Sequence, residues 1–209
     1  MSPLITTIIL LLLGIALIWR YASSRCTLPC PRWLGFFLDN PLAGREAGRQ
    51  LSKAGLQPGM AALDAGCGTG RLTLPIARLV GPQGKVVAID IQQKMLDTVS
   101  ARAKVLGLEN VSCRKTPLGE GVFQDKNIFD RAFLTTVLGE IPKQAQAPAL
   151  QEIYAALKPG GVLSVAEIML DPHYQSPARV RQLAEQAGFQ FERQFGNRLS
   201  FIAHFTKPE

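Results

Sequence analysis

Leu63-Asp64-Ala65-Gly66-Cys67-Gly68-Thr69-Gly70-Arg71 is the stretch whose reading decides the fold of this chain. A short apolar run, Met60 to Leu63, precedes it, and an amphipathic segment of helical length, Leu72 to Val80, follows it. The order is strand, glycine turn, helix. Gly66, Gly68 and Gly70 put no side chains on the turn, so its backbone N–H groups and the start of the helix can approach a ligand closely. Spacing restricts that ligand. The dinucleotide fingerprint G-x-G-x-x-G needs its third glycine where Arg71 stands, and here that glycine falls at Gly70. Asp90 closes the apolar run Val86 to Ile89 about 20 residues farther on, where a nucleoside-binding sheet places a carboxylate for ribose hydroxyls.

Strands and helices alternate from there to the end. Asn40-Pro41 opens a helix, by cap and first-turn chemistry, that runs to Gly55. Met60 to Leu63 reads as the first strand, Arg71 to Val80 as a helix, and Lys85 to Asp90 as the second strand. Gln92 to Leu106 reads as a helix, with Met95, Val99 and Ala103 on one face and Gly107 as its stop. Val111 to Arg114 and Phe129 to Val137 are strands three and four, separated by a polar, turn-rich segment. Leu150, Ile153, Tyr154 and Leu157 recur at helical period, Lys158-Pro159-Gly160-Gly161 ends that helix, and Val162 to Ala166 is strand five. Ser176-Pro177 caps a helix carrying Val180, Leu183, Ala184 and Ala187. Phe189 to Phe195 and Leu199 to Phe205 form a hairpin about Gly196-Asn197-Arg198. Together these predict an α/β protein, Rossmann-like, with a mostly parallel sheet of seven strands ending in an antiparallel hairpin.

The Asp-x-Gly-x-Gly-x-Gly turn, the strand-end Asp90, the run Phe129-Asp130-Arg131-Ala132-Phe133-Leu134 and the run Leu157-Lys158-Pro159-Gly160-Gly161-Val162-Leu163 resemble class I S-adenosylmethionine-dependent methyltransferases. Within that class the likeness is to the small-molecule, quinone-biosynthesis type, and it extends from about Asn40 to the end. The resemblance implies S-adenosylmethionine as cofactor, held by Asp64, Gly66, Cys67, Gly68 and Gly70, with Asp90 on the ribose diol and Ile91 against adenine. Asp64 would set the turn and meet the ammonium of the methionine moiety. Many relatives carry an acid after strand three for the adenine amino group. Lys115-Thr116-Pro117-Leu118 stands there instead, which leaves Thr116 or the backbone near Leu118 for that contact. Relatives often have a histidine where Gly139 stands, so the usual imidazole is missing. Methyl transfer is an in-line displacement that needs alignment, exclusion of water and, for weak nucleophiles, removal of a proton. Its candidates are Glu140, after strand four, and His173 with Tyr174, on the loop after strand five. His204, inside the last strand, reads as a sheet residue.

The chain has 209 residues, 47% hydrophobic, enough for one domain with a core and against disorder. The first part is different. Leu4 to Trp19 is uncharged and apolar apart from Thr6, Thr7 and Gly14, and Pro3 to Tyr21 approaches the roughly 20 residues that cross a bilayer. We read residues 1–22 as a single transmembrane anchor, 23–39 as a juxtamembrane aromatic and basic segment, and 40–209 as the methyltransferase domain. A cleaved signal peptide fits less well, because Arg20, Arg25 and Arg32 follow the apolar run. An interfacial helix would need a charged face. The positive-inside rule puts those arginines and the domain in the cytoplasm. Trp33, Phe36 and Phe37 then lie at the membrane interface, fold over the pocket, or pack on the sheet edge. Cys26, Cys30, Cys67 and Cys113 have no zinc spacing and read as reduced thiols, with no metal site.

The expected function is membrane-anchored methyl transfer to a small lipophilic acceptor, such as a quinone precursor, a phospholipid headgroup or a hydrophobic thiol. The net charge of +7 would also suit phosphates. An RNA or protein methyltransferase is therefore the second reading, ranked lower because no recognition module interleaves its basic residues, and no nucleic-acid partner is expected. A non-catalytic membrane adaptor that kept the fold is the third. Nothing in the sequence sets the oligomeric state.

Overall fold

The computed structural model describes residues 41–209, together with Thr6, Thr7 and Gly14. The expected membrane span, the juxtamembrane segment and the boundaries drawn through them otherwise lie outside the described residues. Among those described, no helix is long and apolar enough to cross a membrane.

Among the described residues from Pro41 onward the elements are, in sequence, α1 (Pro41–Lys53), β1 (Ala61–Ala65), α2 (Thr73–Val80), β2 (Lys85–Asp90), α3 (Gln93–Val105), β3 (Val111–Lys115), β4 (Phe129–Thr135), α4 (Lys143–Ala156), β5 (Leu157–Ile168), α5 (Pro177–Gln186), β6 (Gln190–Gly196) and β7 (Ser200–Thr206). The seven strands form one sheet in the order β3-β2-β1-β4-β5-β7-β6. β1 to β5 are parallel, and β7 runs antiparallel to both β5 and β6. The expected Rossmann-like sheet with its terminal hairpin is the observed one.

Two boundaries differ in ways that matter. β1 continues to Ala65, so Asp64 belongs to the strand and not to the turn. β5 begins at Leu157 instead of Val162, because the Lys158-Pro159-Gly160-Gly161 stretch is held in extended form by the last residues of the chain. Gly160 donates its N–H to the Lys207 carbonyl, and Lys207 donates its own to Gly161, each at 2.9 Å. The preceding helix ends at Ala156, ahead of the Gly-Gly pair, and Lys207 supplies the strand partner.

The central strands are buried on both faces, as a parallel sheet requires. Ala62, Val86 and Phe133 pack with Leu51, Leu72, Ile76 and Val80 beneath α1 and α2, and Ala88 packs with Leu96 and Val99 of α3. Leu63, Val87, Leu134, Leu163 and Val165 pack on the other side with Leu150 and Ile153 of α4 and Val180 and Leu183 of α5. At the amino-terminal end of the sheet, Asp130 ties three strands together. Its carboxylate accepts the Ala61 N–H and the Lys158 ammonium, each at 2.8 Å. Burial acts against its charge, yet these partners hold its carboxyl below the usual range.

The direction of α1 bears on the site. Arg131, early in β4, donates to the Ala54 carbonyl at 2.7 Å, while Gln50, one turn earlier in α1, meets Thr135 at the end of β4 and Ser164 in β5. α1 therefore runs antiparallel to β4, and its start points to the carboxyl end of the sheet. Gln50 is buried, and its amide is saturated by those two hydroxyls and the Ser164 carbonyl. Gln50→Ala strands these buried groups, and denaturant unfolding should read a loss of about 1–3 kcal/mol.

Candidate active site

The strand order reverses at β1, whose neighbours β2 and β4 leave in opposite directions, and a crevice opens there at the carboxyl ends. It encloses about 320 Å³. Every parallel strand contributes: Gly66 to Thr69 and Arg71 after β1, Asp90 to Gln92 at β2, Thr116 to Leu118 after β3, Thr135 to Val137 at β4, and Asp171 after β5. A wider hollow of about 740 Å³ lies at the amino ends of β2 and β3, beside Lys85 and Asn110. There the Asn110 amide donates to the Ala77 and Gly81 carbonyls, and no carboxyl end of a strand converges on it.

The three glycines of the turn have three different reasons. A Cβ on Gly66 would lie 2.3 Å from the Val137 side chain, so this glycine lets the turn after β4 close onto the turn after β1. A Cβ on Gly70 would come within 3.1 Å of Val99 on α3. Only at Gly68 is the space empty to 4 Å, and its N–H points to Asp90 Oδ2 at 3.0 Å. All three have positive φ, which only glycine adopts without strain.

Asp90 spans the mouth of the turn. Besides the Gly68 contact, its Oδ1 accepts the Gln92 N–H at 2.8 Å. Burial raises its pKa, opposed by these backbone donors. Each oxygen keeps a lone pair for a further donor, such as a diol. Ile91 beside it is half exposed, an apolar face on the crevice wall, and the Thr116 N–H is tied to the Asp90 carbonyl at 3.2 Å. An open glycine backbone, a strand-end carboxylate and an apolar shelf fit the ribose, methionine and adenine portions of S-adenosylmethionine, and the volume suits a small ligand.

The other expected residues divide between the crevice and its surroundings. Asp64 is buried beneath the turn, outside the crevice wall, where its carboxylate accepts the Thr73 hydroxyl at 2.5 Å. Burial pushes its pKa up to about 6. It braces the start of α2 from below. Cys67 lines the crevice, but burial, with the charges of Asp64 and Asp90, pushes its thiol far up, so it is no nucleophile. Glu140 is on the wall. His173 is one layer behind it, its Nδ1 3.8 Å from Asp171 Oδ1, and it is Asp171 that reaches the wall. The Tyr174 hydroxyl donates to the Arg198 carbonyl and its ring packs edge-on to Phe201. His204 lies in β7 against Phe195. Among the described residues no cluster of three or more His, Cys, Asp or Glu is placed to hold a metal.

Sequence reading missed Thr136 and Asp171. Thr136 adopts φ of 53°, a costly conformation for a β-branched residue, and this reversal turns Val137 back onto Gly66. No sequence signal announces it. For Asp171, the Asp-Pro pair just after a strand was the available sign.

The methyltransferase-domain profile matches residues 56–198, from before β1 into the final hairpin. The chain belongs to this family. S-adenosylmethionine is accordingly its cofactor. The methyltransferase is 34% identical over 119 residues to the demethylmenaquinone methyltransferase of Staphylococcus aureus (strain JH9), an alignment covering 57% of this chain and 47% of that protein. It thus spans about half the length of the curated relatives it matches. The SAM-dependent methyltransferase from Aquifex aeolicus superposes with a TM-score of 0.76 at 24% identity, over 85% of this chain and 99% of that one. A TehB-like SAM-dependent methyltransferase from Corynebacterium glutamicum gives 0.62 at 20% identity, over 80% and 100%. The 4+2 cyclase SpnF gives 0.69 at 19% identity, over 79% and 81%. At these identities the three solved structures establish the fold.

Two outcomes follow from this geometry. Asp90→Ala removes a crevice carboxylate and its tie to Gly68, so calorimetry should read S-adenosylmethionine affinity lowered ten-fold or more. Burial also pushes the Glu167 carboxyl, at the end of β5, up to about 8. With pKa values raised on folding, the folded state binds more protons than the unfolded one. The stability from Asp64 and Glu167 is therefore full below their ordinary pKa values and lost as pH rises through about 6 and about 8. Thermal unfolding should weaken between pH 6 and 8 by up to about 1.4 kcal/mol per pH unit, and Glu167→Gln should remove that slope.

Proposed function

We propose that this methyltransferase acts on a small lipophilic acceptor that partitions into a membrane, of the quinone-precursor kind, and that residues 1–22 anchor it there with the domain in the cytoplasm. The observation that carries the acceptor reading is the direction of α1. The start of α1 points to the carboxyl end of the sheet, where the crevice opens, and the sequence ahead of it carries the apolar stretch Leu4 to Trp19. Leu170 and Leu199, 88% and 59% exposed, stand at the same end on adjoining loops linked by the Met169 N–H and the Leu199 carbonyl at 2.7 Å. Exposed apolar groups at the crevice end, together with an apolar stretch in the preceding sequence, favour an acceptor delivered from a bilayer. Tethering then raises its effective concentration without any special contact. The likeness to a demethylmenaquinone methyltransferase points the same way.

The cofactor supplies an electrophilic methyl group on a sulfonium sulfur. The chain's residues bind, align and desolvate. Gly68 and Asp90 fix the donor on one side of the crevice, and Val137, Ile141 and Pro142 offer apolar walls on the other. Where the acceptor must lose a proton, Asp171 on the wall with His173 behind it, and Glu140 on the adjoining turn, are the groups in position.

Cells given S-adenosylmethionine labelled in the methyl group should place label in the lipid-soluble fraction when they carry this chain, and not when they carry its Asp90→Ala variant. Label confined to RNA or protein overturns the acceptor class. Folded protein that fails to bind S-adenosylmethionine overturns the enzyme reading altogether. Within an active preparation, His173→Ala should lower turnover about ten-fold or more, and full turnover removes His173 from the chemistry.

A further inference from the structure

Two buried side-chain polar atoms among the described residues have no hydrogen-bond partner, His204 Nε2 and Glu167 Oε1. The first is a neutral imidazole in the middle of β7, its pKa lowered by burial, and a neutral ring tolerates this. The second belongs to an acid and needs an explanation. Glu167 stands one residue before the end of β5, only 2% exposed, on the face that carries Leu163 and Val165 into the core.

Its other oxygen, Oε2, accepts the N–H of Gln175 at 3.3 Å. The Gln175 amide donates in turn to the His173 carbonyl at 3.0 Å. That carbonyl sits directly on Gly139 in the turn after β4, where a Cβ would fall 1.7 Å from it. The chain Glu167, Gln175, His173, Gly139 therefore fastens the loop after β5 to the turn after β4. Asp171, on the loop, and Glu140, on the turn, both line the crevice. They are also the described charges that act on Glu167, and both are acids. β7 faces Glu167 with Phe201.

We propose that Glu167 is a positioning residue of the crevice: its protonated carboxyl seats the Asp171–Gln175 loop on Gly139, and loss of that proton unseats the loop. Burial first, and then the neighbouring charges of Asp171 and Glu140, push the carboxyl up to about 8, so it carries its proton at neutral pH. A neutral acid leaves one unpaired oxygen in an apolar pocket, a modest cost. An ionised one would leave a carboxylate with a single N–H donor beside two further acids, a far larger cost that outward movement of the loop relieves. The glycine at 139 belongs to the same device, since any side chain there occupies the seat.

The test is hydrogen exchange on the full chain between pH 6.5 and 9.5, with each rate divided by its intrinsic value. Residues 169–176 of the unsubstituted protein should lose protection ten-fold or more through a midpoint near 8, while the central strands keep theirs. Glu167→Gln, neutral at every pH, should hold the loop across the range, and Glu167→Ala should leave it unprotected at every pH. Protection that does not vary with pH, or a Glu167→Gln variant that follows the unsubstituted protein, overturns the proposal. If Glu167→Ala does not fold, the glutamine variant decides. The consequence for turnover, a matching alkaline loss absent from Glu167→Gln, rests on the methyltransferase reading. A loop that responds as expected in a protein that transfers no methyl group would sink that reading and leave the seat intact.

Discussion

The contact between Val137 and the bare α-carbon of Gly66 joins the two halves of the molecule. On one side is the turn that leads from β1 into α2, and on the other the reversal at Thr136 that ends β4. Parallel strands on either side of a switch point diverge, and something must hold their following turns at a fixed separation. Here that separation is one valine side chain against one glycine. The strained φ at Thr136 is the cost of aiming Val137, and the packing it obtains closes one end of the crevice. Asp90 performs the complementary task on the β2 side, fixing Gly68 and Gln92 through backbone N–H groups and leaving lone pairs for a ligand.

Much of this was legible in the sequence, because the signals were periodic or stereochemical. Alternation of buried strands and amphipathic helices, glycines at helix ends and the Gly-Asn-Arg hairpin are local, and they gave the order of all the strands. The glycine turn and Asp90 are likewise local and mark the cofactor side. What was not legible depends on partners far away. Asp64 reads as a turn residue until the pairing of β1 with β2 and β4 carries the strand through Ala65 and directs the carboxylate to Thr73. The three glycines look equivalent on paper and separate only when Val137 and Val99 arrive. Glu167 reads as the first residue beyond strand five, whereas β5 runs on to Ile168 and buries it, since burial is a property of what covers it.

The comparisons and the geometry speak to different levels. A family match over most of the chain identifies the domain and its cofactor, and the same fold in a 4+2 cyclase demonstrates how little of the acceptor side the sheet itself dictates. The loops after β4 and β5 meet at Gly139, where the His173 carbonyl occupies the space a side chain would take.

The sheet order also has a consequence for the time at which the molecule becomes itself. β1 lies at the centre of the sheet, yet its partner β4 follows it by about 69 residues, the separation of the Ala61 and Asp130 contact. On a ribosome adding roughly 5–20 residues per second, α2, β2, α3 and β3 all emerge while one flank of β1 is bare. The crevice has only one wall until Val137 has been made, so no cofactor can template the earlier half. An exposed, apolar central strand waiting for a distant partner is the point at which this chain is most open to misassociation.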